Sequence, residues 1–375
     1  MSTLVHSVRL VDGGSVTDDA WVLFADGRVA AIGSGPSRPD ADEVVDGGDG
    51  CLTPGFLDIH GHGGAGRSYD DGPEAIREAR ALHFAHGTTR AVISLVTAGI
   101  DDLAARVAMV AELAEADATI LGSHLEGPFL DPAHRGAHDP GLLRAPDAAS
   151  VDLLLEAGRG TIRQVTLAPE LPGADDAIAR FARAGVVVAV GHTDADAATA
   201  RRAFDAGATV LTHAFNAMRG IHHRAPGPVV AALRDPRVTL EVVADGVHVD
   251  LDLVATLFTA AGQRIALVTD AMAAAGANDG AYELGGLAVT VTGGVARLDD
   301  GGAIAGSTLT QDEALRRVVA AGADLATAVG AVTSTPARAI GRPDLGTLAE
   351  GAIADAVLLD ADLRVQRVWV AGRQI

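Results

Sequence analysis

The sequence predicts an α/β fold: a (β/α)8 TIM barrel with a small β-sandwich domain formed from both chain termini. Between Pro54 and Asp270, short apolar β-rich runs alternate with longer Ala-rich stretches, as parallel strands alternate with crossover helices. Before and after this region the chain instead shows short strands joined by Asp-Gly turns. The 375 residues suffice for one large and one small domain.

Both terminal segments of the chain are predicted to form short β strands. Residues 1 to about 52 carry turns at Asp12-Gly13 and Asp26-Gly27, and the stretches Ala354–Leu359 and Leu363–Val370 near the other end alternate in the same way. Two β-rich segments that flank a barrel most simply pair with each other. We therefore predict a small β domain of residues 1–52 and 344–375 and a barrel domain of residues 53–343.

Eight runs of the central region are predicted barrel strands, because most are continuous apolar runs, which is typical of parallel strands covered on both faces. They are Gly55–His60, Thr89–Val96, Thr119–Leu125, Arg163–Ala168, Val186–Gly191, Ala208–His213, Thr239–Asp245 and Arg264–Asp270. Helical stretches between them include Gly72–His86, Asp101–Ala114, Ala148–Ala157 and Asp196–Ala206. After the eighth run, Glu283–Ala305 contains hairpin signals, and a helix is predicted at Thr308–Ala320.

Composition excludes several classes of protein. A formal net charge of -20 repels phosphate backbones, so we expect no nucleic-acid partner. No apolar run reaches the roughly 18 residues of a membrane span, and the first residues lack a secretory signal pattern, so we expect a cytoplasmic protein with no membrane partner. Cys51 is the single cysteine, which excludes an intrachain disulfide and a cysteine-rich zinc site.

Histidines and carboxylates gather at the predicted strand ends, where barrels of this kind carry their chemistry. The runs end at or near His60 with His62, His124 with Glu126, His192, His213, Asp245 with His248, and Asp270. His60 and His62 are two residues apart in an extended segment, so their side chains point to one face and can bind a single ion. Imidazoles and carboxylates on one rim are typical of a divalent metal site.

Several motifs carry a resemblance to a known family. Pro54–His62, which reads P-G-F-L-D-I-H-G-H, resembles the opening motif of the amidohydrolase superfamily. Further motifs, similar to the N-acetylglucosamine-6-phosphate deacetylase family over essentially the whole chain, are His124–Phe129, Gly191–Thr193, Thr212–Met218, Asp245–His248 and Val268–Ala271. This resemblance implies hydrolysis of N-acetylglucosamine-6-phosphate to glucosamine-6-phosphate and acetate, in amino-sugar catabolism or cell-wall recycling.

The absence of lysine supports the resemblance to the deacetylase family within this superfamily. All 29 basic residues are arginine, so the chain has no lysine to carbamylate, as many binuclear amidohydrolases do to bridge two metals. Another anion must take that place, and Glu126 is the carboxylate that the resemblance offers. Amidohydrolases of the lysine type are therefore excluded.

The resemblance also assigns site residues. It implies a divalent ion (zinc, iron, manganese or cobalt) at Glu126, His192 and His213, and it leaves room for a second ion at His60 and His62. Asp270 is the expected acid and base, taking a proton from water and giving it to the leaving amine. The residues expected to line the sugar phosphate are Ala137, His138, Asn216, Ala217, Arg224, Asp245, Gly246, Val247, His248, Ala305, Gly306 and Ser307.

The remaining implications concern substrate contacts and assembly. His138 or His248 is expected to stabilise the acetyl oxygen, and Arg224 the phosphate. The family implies a homodimer, with the loop around His222 and His223 reaching the neighbouring subunit's phosphate.

Two alternatives stay open. Another amidohydrolase, acting on an N-acyl or cyclic amide without phosphate, would leave Arg224 without a partner. A binding or assembly protein that kept only the barrel would be expected to have lost metal ligands or Asp270, and these are all present.

Overall fold

The computed structural model describes residues 2–375, whose strands form four sheets. The strands are β1 (Ser2–Asp12), β2 (Ser15–Ala25), β3 (Arg28–Ser34), β4 (Glu43–Asp46), β5 (Cys51–Pro54), β6 (Phe56–Asp58), β7 (Gly63–Gly64), β8 (Arg67–Ser68), β9 (Thr88–Val96), β10 (Ile120–Glu126), β11 (Ile162–Leu167), β12 (Val187–Val190), β13 (Ala208–Leu211), β14 (Thr239–Val242), β15 (Ile265–Leu267), β16 (Gly280–Leu284), β17 (Leu287–Thr292), β18 (Val295–Leu298), β19 (Ala356–Leu359), β20 (Val365–Val370) and β21 (Arg373–Gln374).

The helices lie mainly between the barrel strands and after them. They are α1 (Pro73–Ala85), α2 (Ile100–Ala116), α3 (Ala148–Gly158), α4 (Ala174–Arg183), α5 (Ala197–Ala206), α6 (Gly227–Leu233), α7 (Leu251–Ala261), α8 (Gln311–Ala320), α9 (Leu325–Val332) and α10 (Ser334–Ala339). Four of them, α1, α2, α3 and α5, match the stretches named from composition to within two residues at each end. In residues 2–375 we find no helix with both the length and the apolar character needed to cross a membrane.

Local sequence explains how these helices begin and which face they bury. At the start of α5, the Asp196 carboxylate accepts a hydrogen bond from the Thr199 backbone N–H at 2.8 Å and so caps the helix. Helix α4 buries Ala174, Ile178 and Phe181, which recur every three to four residues and form one apolar stripe against the barrel. Full burial of such a large side chain stabilises the fold by about 1.5 to 3 kcal/mol.

The barrel consists of β6 and β9 to β15, paired in parallel and in chain order. The Asp270 backbone N–H donates to the His60 carbonyl oxygen at 2.8 Å, which joins the segment after β15 to the segment after β6. All eight predicted runs are confirmed as barrel strands. Most of the strands end one to three residues before the end of the corresponding predicted run, because the chain leaves the sheet there to form the site.

The two ends of the chain form one sheet, in the order β21-β20-β19-β5-β1-β2-β3, with β4 also paired to β1. Three strands separate β20 from β2 in this order, yet the rings of Trp369 and Phe24 lie 5.9 Å apart. The sheet must therefore fold over on itself around a shared core, which confirms the predicted sandwich from both termini. The domain boundaries at residues 52 and 344 stay a prediction.

A three-stranded antiparallel sheet, β16 to β18, follows the barrel where hairpins were predicted. Its turns fall at Gly285-Gly286 and Gly293-Gly294, and all four glycines have a positive φ, which glycine adopts without strain. Leu284 and the segment from Ala303 to Gly306 reach the C-terminal face of the barrel.

Candidate metal centre and active site

One group of donors comes from three separate strands. Glu126 is the last residue of β10, while His192 and His213 follow β12 and β13. The Glu126 Oε1 atom lies 3.1 Å from both His192 Nε2 and His213 Nε2, and the two Nε2 atoms are 3.0 Å apart. All three side chains are buried, and their donor atoms converge on one point.

A second group lies beside the first and consists of His60, His62 and Asp270. The Nε2 atoms of His60 and His62 are 3.3 Å apart. The Asp270 Oδ1 atom lies 3.6 Å from His60 Nε2 and 3.4 Å from His62 Nε2. As the His-x-His spacing predicted, the two imidazoles face one point.

The carboxylate of Glu126 connects the two groups. Its Oε1 atom is 3.3 Å from His60 Nε2, and its Oε2 atom is 3.0 Å from His62 Nε2. Ligand bonds of about 2.0 to 2.2 Å to a shared ion place neighbouring donor atoms roughly 3 to 3.6 Å apart, which matches these separations. Because imidazole nitrogen and carboxylate oxygen suit borderline divalent metals, the residues present fit such ions.

The backbone is strained where it holds these ligands. His192, His213 and Asp270 have φ values of 47°, 23° and 50°, a left-handed region that costs a residue with a side chain about 1 to 3 kcal/mol. Neighbouring contacts hold Asp270 in place, since its carbonyl oxygen also accepts from the Ser307 backbone N–H at 2.7 Å. Strain of this kind at the ends of several barrel strands is typical of a functional site.

Burial and charge perturb the ionisable groups of the site. Burial lowers the pKa of His62, but hydrogen bonds with Asp270 and Glu126 outweigh it and raise that pKa to about 9. Burial raises the pKa of Asp270, yet the hydrogen bond with His62 and the charge of His60 outweigh it, so the net direction is downward. Opposed perturbations of this kind in a cleft are typical of active sites.

Two further histidines flank the donors. His138 Nε2 lies 3.6 Å from Glu126 Oε2, and burial is the main cause that lowers the His138 pKa to about 4. His248 Nδ1 lies 2.6 Å from Asp245 Oδ2, and its Nε2 lies 3.8 Å from Asp270 Oδ2. Burial lowers the pKa of His248, but the Asp245 hydrogen bond and the Asp270 charge raise it above its ordinary value.

All of the donors except His60 line a pocket of about 340 Å³ at this end of the barrel. Of the residues expected to contact the sugar phosphate, the structure places Ala137, His138, Asn216, Ala217, His248 and Gly306 in its wall. The others lie elsewhere among the described residues: Asp245 supports His248, Ala305 and Ser307 are buried behind Gly306, Gly246 and Val247 belong to the Asp245 turn, and Arg224 is exposed.

Sequence reasoning missed several residues at the site. The wall also contains His134, Val96, Leu284 and Ile304. Val96 ends a predicted barrel strand but is apolar, and the other three come from a loop and the inserted sheet region, where no sequence signature marks them. Glu241, within β14, was missed as well, although its side chain is fully buried and its Oε2 atom lies 3.0 Å from His60 Nδ1. A glutamate inside an otherwise apolar strand was the signal, because a buried carboxylate is retained only with a partner.

Comparisons with known proteins agree with this architecture. The model of the amidohydrolase family matches residues 51–375. The N-acetylgalactosamine-6-phosphate deacetylase of Escherichia coli O157:H7 is 39% identical over 100% of this chain and 99% of its own length. The N-acetylglucosamine-6-phosphate deacetylase of Vibrio furnissii is 34% identical over 98% of this chain and 93% of its own.

A solved structure is similar over the same extent. It is a mutant of the N-acetyl-D-glucosamine-6-phosphate deacetylase of Mycobacterium smegmatis in complex with N-acetyl-D-glucosamine-6-phosphate. It is 44% identical, covers 100% of this chain and 98% of that chain, and has a TM-score of 0.95. By its motifs, its fold and these full-length similarities, the chain belongs to the amidohydrolase family.

Proposed function

We propose that the chain removes the acetyl group of N-acetylglucosamine-6-phosphate by hydrolysis, which yields glucosamine-6-phosphate and acetate in amino-sugar metabolism. The observation that carries this proposal is the pair of donor groups that share Glu126 beside Asp270, at the wall of one pocket. The name of the Vibrio furnissii relative and the substrate complex of the Mycobacterium smegmatis relative support this choice of substrate.

The proposed ligands are Glu126, His192 and His213 for one divalent ion, and His60, His62 and Asp270 for a second. We propose zinc, while iron, manganese and cobalt suit the same donors. When bound, such an ion lowers the pKa of water from 15.7 to about 7 to 9 and polarises an amide carbonyl.

Asp270 is the proposed acid and base. Its Oδ1 atom faces His60 and His62, and its Oδ2 atom faces His248 at 3.8 Å, so the carboxylate lies at the pocket between these two ligands and His248. Since its pKa is lowered, Asp270 is ionised at neutral pH and can accept a proton from the attacking water. It then gives this proton to the amine nitrogen as the C–N bond breaks.

His248 is the proposed partner of the acetyl oxygen. A carboxylate only accepts hydrogen bonds, so the contact with Asp245 makes His248 Nδ1 a donor. The raised pKa of His248 favours the charged imidazolium, in which Nε2 also carries a proton, and this nitrogen faces Asp270 at the pocket. A charged donor at this place stabilises negative charge that develops on the amide oxygen. His138, which also lines the pocket, is the proposed contact for a sugar hydroxyl.

The phosphate requires partners that the pocket of a single chain offers only in part. Asn216 and Ala217 line that pocket, whereas Arg224 and its neighbours His222 and His223 are exposed on a loop outside it. We propose that the chain forms a homodimer in which this loop contributes Arg224 to the partner's phosphate site. We also propose a cytoplasmic location, because a phosphorylated amino sugar is charged and does not cross a membrane unaided.

Acetate release from four sugars tests the proposal. We expect zinc-loaded protein to hydrolyse N-acetylglucosamine-6-phosphate far faster than N-acetylglucosamine, because only the former carries the phosphate. N-acetylgalactosamine-6-phosphate is the second candidate, since the 39% identical Escherichia coli relative carries that name, and N-acetylgalactosamine is its control. If zinc-loaded protein releases acetate from neither phosphorylated sugar, the proposal is wrong, and another N-acyl or cyclic amide must be sought as substrate.

A further inference from the structure

Glu241 lies in the interior of the barrel behind His60. Its Oε2 atom is 3.0 Å from His60 Nδ1 and accepts a longer bond, of 3.4 Å, from the His213 backbone N–H. Its Oε1 atom accepts from Gln164 Nε2 at 2.7 Å. The side chain thus contacts one residue of each donor group, on the side that faces away from the pocket.

These contacts determine the protonation of His60. N–H groups of Gln164 and His213 face the two oxygens of Glu241, which is the hydrogen-bond environment of an accepting carboxylate. A carboxylate cannot donate, so His60 Nδ1 carries the proton. In the neutral imidazole the lone pair then lies on Nε2, which faces His62 at 3.3 Å and Asp270 at 3.6 Å.

No other donor histidine in residues 2–375 is held in this way. The Nδ1 atom of His192 contacts the His134 backbone carbonyl at 2.9 Å. The Nδ1 atoms of His62 and His213 are buried without a hydrogen-bond partner. Only His60 has a carboxylate behind it, and a buried carboxylate is costly to the fold unless it has a partner.

We propose that Glu241 is a positioning residue: it fixes the tautomer and orientation of His60 and thereby sets the affinity of the His60, His62 and Asp270 group for its ion. This rests on the metal-ligand roles given under the proposed function. Partners of this kind orient the ligand ring and raise its basicity, and their loss typically weakens metal binding about 10- to 100-fold. The ion at Glu126, His192 and His213 should be little affected, because Glu241 touches only the backbone of that group.

The test is a zinc titration of metal-stripped, full-length protein against a competing chromophoric chelator. We expect two binding steps in the parent protein, and His62→Ala identifies the step that belongs to the His60 group. Glu241→Leu, which has a similar size and no acceptor, should weaken that step about 10- to 100-fold and leave the other unchanged. Zinc content by mass spectrometry and the thermal unfolding midpoint verify loading and folding.

Two further variants separate positioning from packing. Glu241→Gln retains an acceptor for His60, because the Gln164 amide can turn and offer its unpartnered Oε1 atom to the new NH2 group, so this variant should recover most of the affinity. Thr166→Val is the matched control, since Thr166 is equally buried in the barrel but contacts His124 and Thr212 instead of His60.

Several results would overturn the inference. The parent chain could bind only one zinc ion, or Glu241→Leu could leave both zinc affinities unchanged or weaken both binding steps equally. A loss of zinc affinity in Thr166→Val as large as that in Glu241→Leu would also overturn it. The proposed function fails separately. Protein that binds two zinc ions as described yet releases no acetate from the amino-sugar phosphates contradicts the function and leaves the role of Glu241 standing.

Discussion

Replacement of Asp270 by asparagine tests the proposed chemistry most sharply. Asparagine has nearly the same shape, and its amide oxygen can still face His60 and His62, as Oδ1 does at 3.6 and 3.4 Å. It cannot take a proton from water or give one to the leaving amine. A positioned acid or base contributes about 10²- to 10⁴-fold to the rate, so kcat should fall by that factor, which corresponds to about 3 to 5.5 kcal/mol.

The assay is acetate release from N-acetylglucosamine-6-phosphate at saturation, with KM and zinc content measured in parallel. We expect KM to change only a few-fold and the ion at the Glu126 group to be retained. Asp312→Asn is the matched control, because Asp312 is also a buried carboxylate but contacts His86 at 3.0 Å and Arg316 at 2.8 Å, outside the pocket wall. If zinc-loaded Asp270→Asn turns over within about threefold of the parent protein, the role assigned here is refuted, since a group that moves the proton contributes far more.

Three further predictions follow from the site. Glu126→Ala should abolish zinc binding at His192 and His213 and reduce it at His62, because Glu126 faces both groups. Full zinc content of the variant by mass spectrometry would show that Glu126 is not a ligand. Arg224→Ala should raise KM for the phosphorylated sugar about 10- to 100-fold, which is the effect of losing a charge-assisted hydrogen bond. The KM for the unphosphorylated sugar should not change. Equal KM values of parent and variant for the phosphorylated sugar would exclude Arg224 from phosphate binding. In metal-stripped protein, folding raises the pKa of His62 to about 9, so protonation of His62 stabilises the fold. This contribution is complete below the unfolded pKa of about 6.5 and is lost as the pH rises through 9. The free energy of unfolding measured with urea should therefore decline over this interval, and a rise would contradict the prediction.

Much of the fold was predictable because its signals are local. A continuous apolar run such as that before Gly191 identifies a strand buried on both faces, and the alternation of runs and helices identifies the barrel. The ligand candidates followed from one rule, that residues after barrel strands meet at one face. His60, Glu126 and His213 come from distant parts of the chain. In the structure, Glu126 Oε1 nevertheless lies 3.3 Å from His60 Nε2 and 3.1 Å from His213 Nε2.

The remainder depends on contacts that no local pattern encodes. Glu241 belongs to the site only because β14 pairs with β13, which leads to His213, and because β15 alone separates β14 from β6, which leads to His60. The position of Arg224 depends on the path of an irregular loop, and the structure places it outside the pocket of its own chain. Leu284 and Ile304 reach the pocket through the fold of an inserted sheet, so their spacing in the sequence carries no signal.

Whether the reaction needs the metal centre is tested most directly by acetate release from N-acetylglucosamine-6-phosphate, measured on the same protein before metal removal, after it and after zinc is restored. The ligand geometry predicts that activity disappears with the metal and returns in proportion to the zinc bound at Glu126, His192 and His213. Undiminished activity in fully stripped, folded protein would rule out a metal-dependent hydrolysis, because the reaction would then proceed without the centre that these residues form.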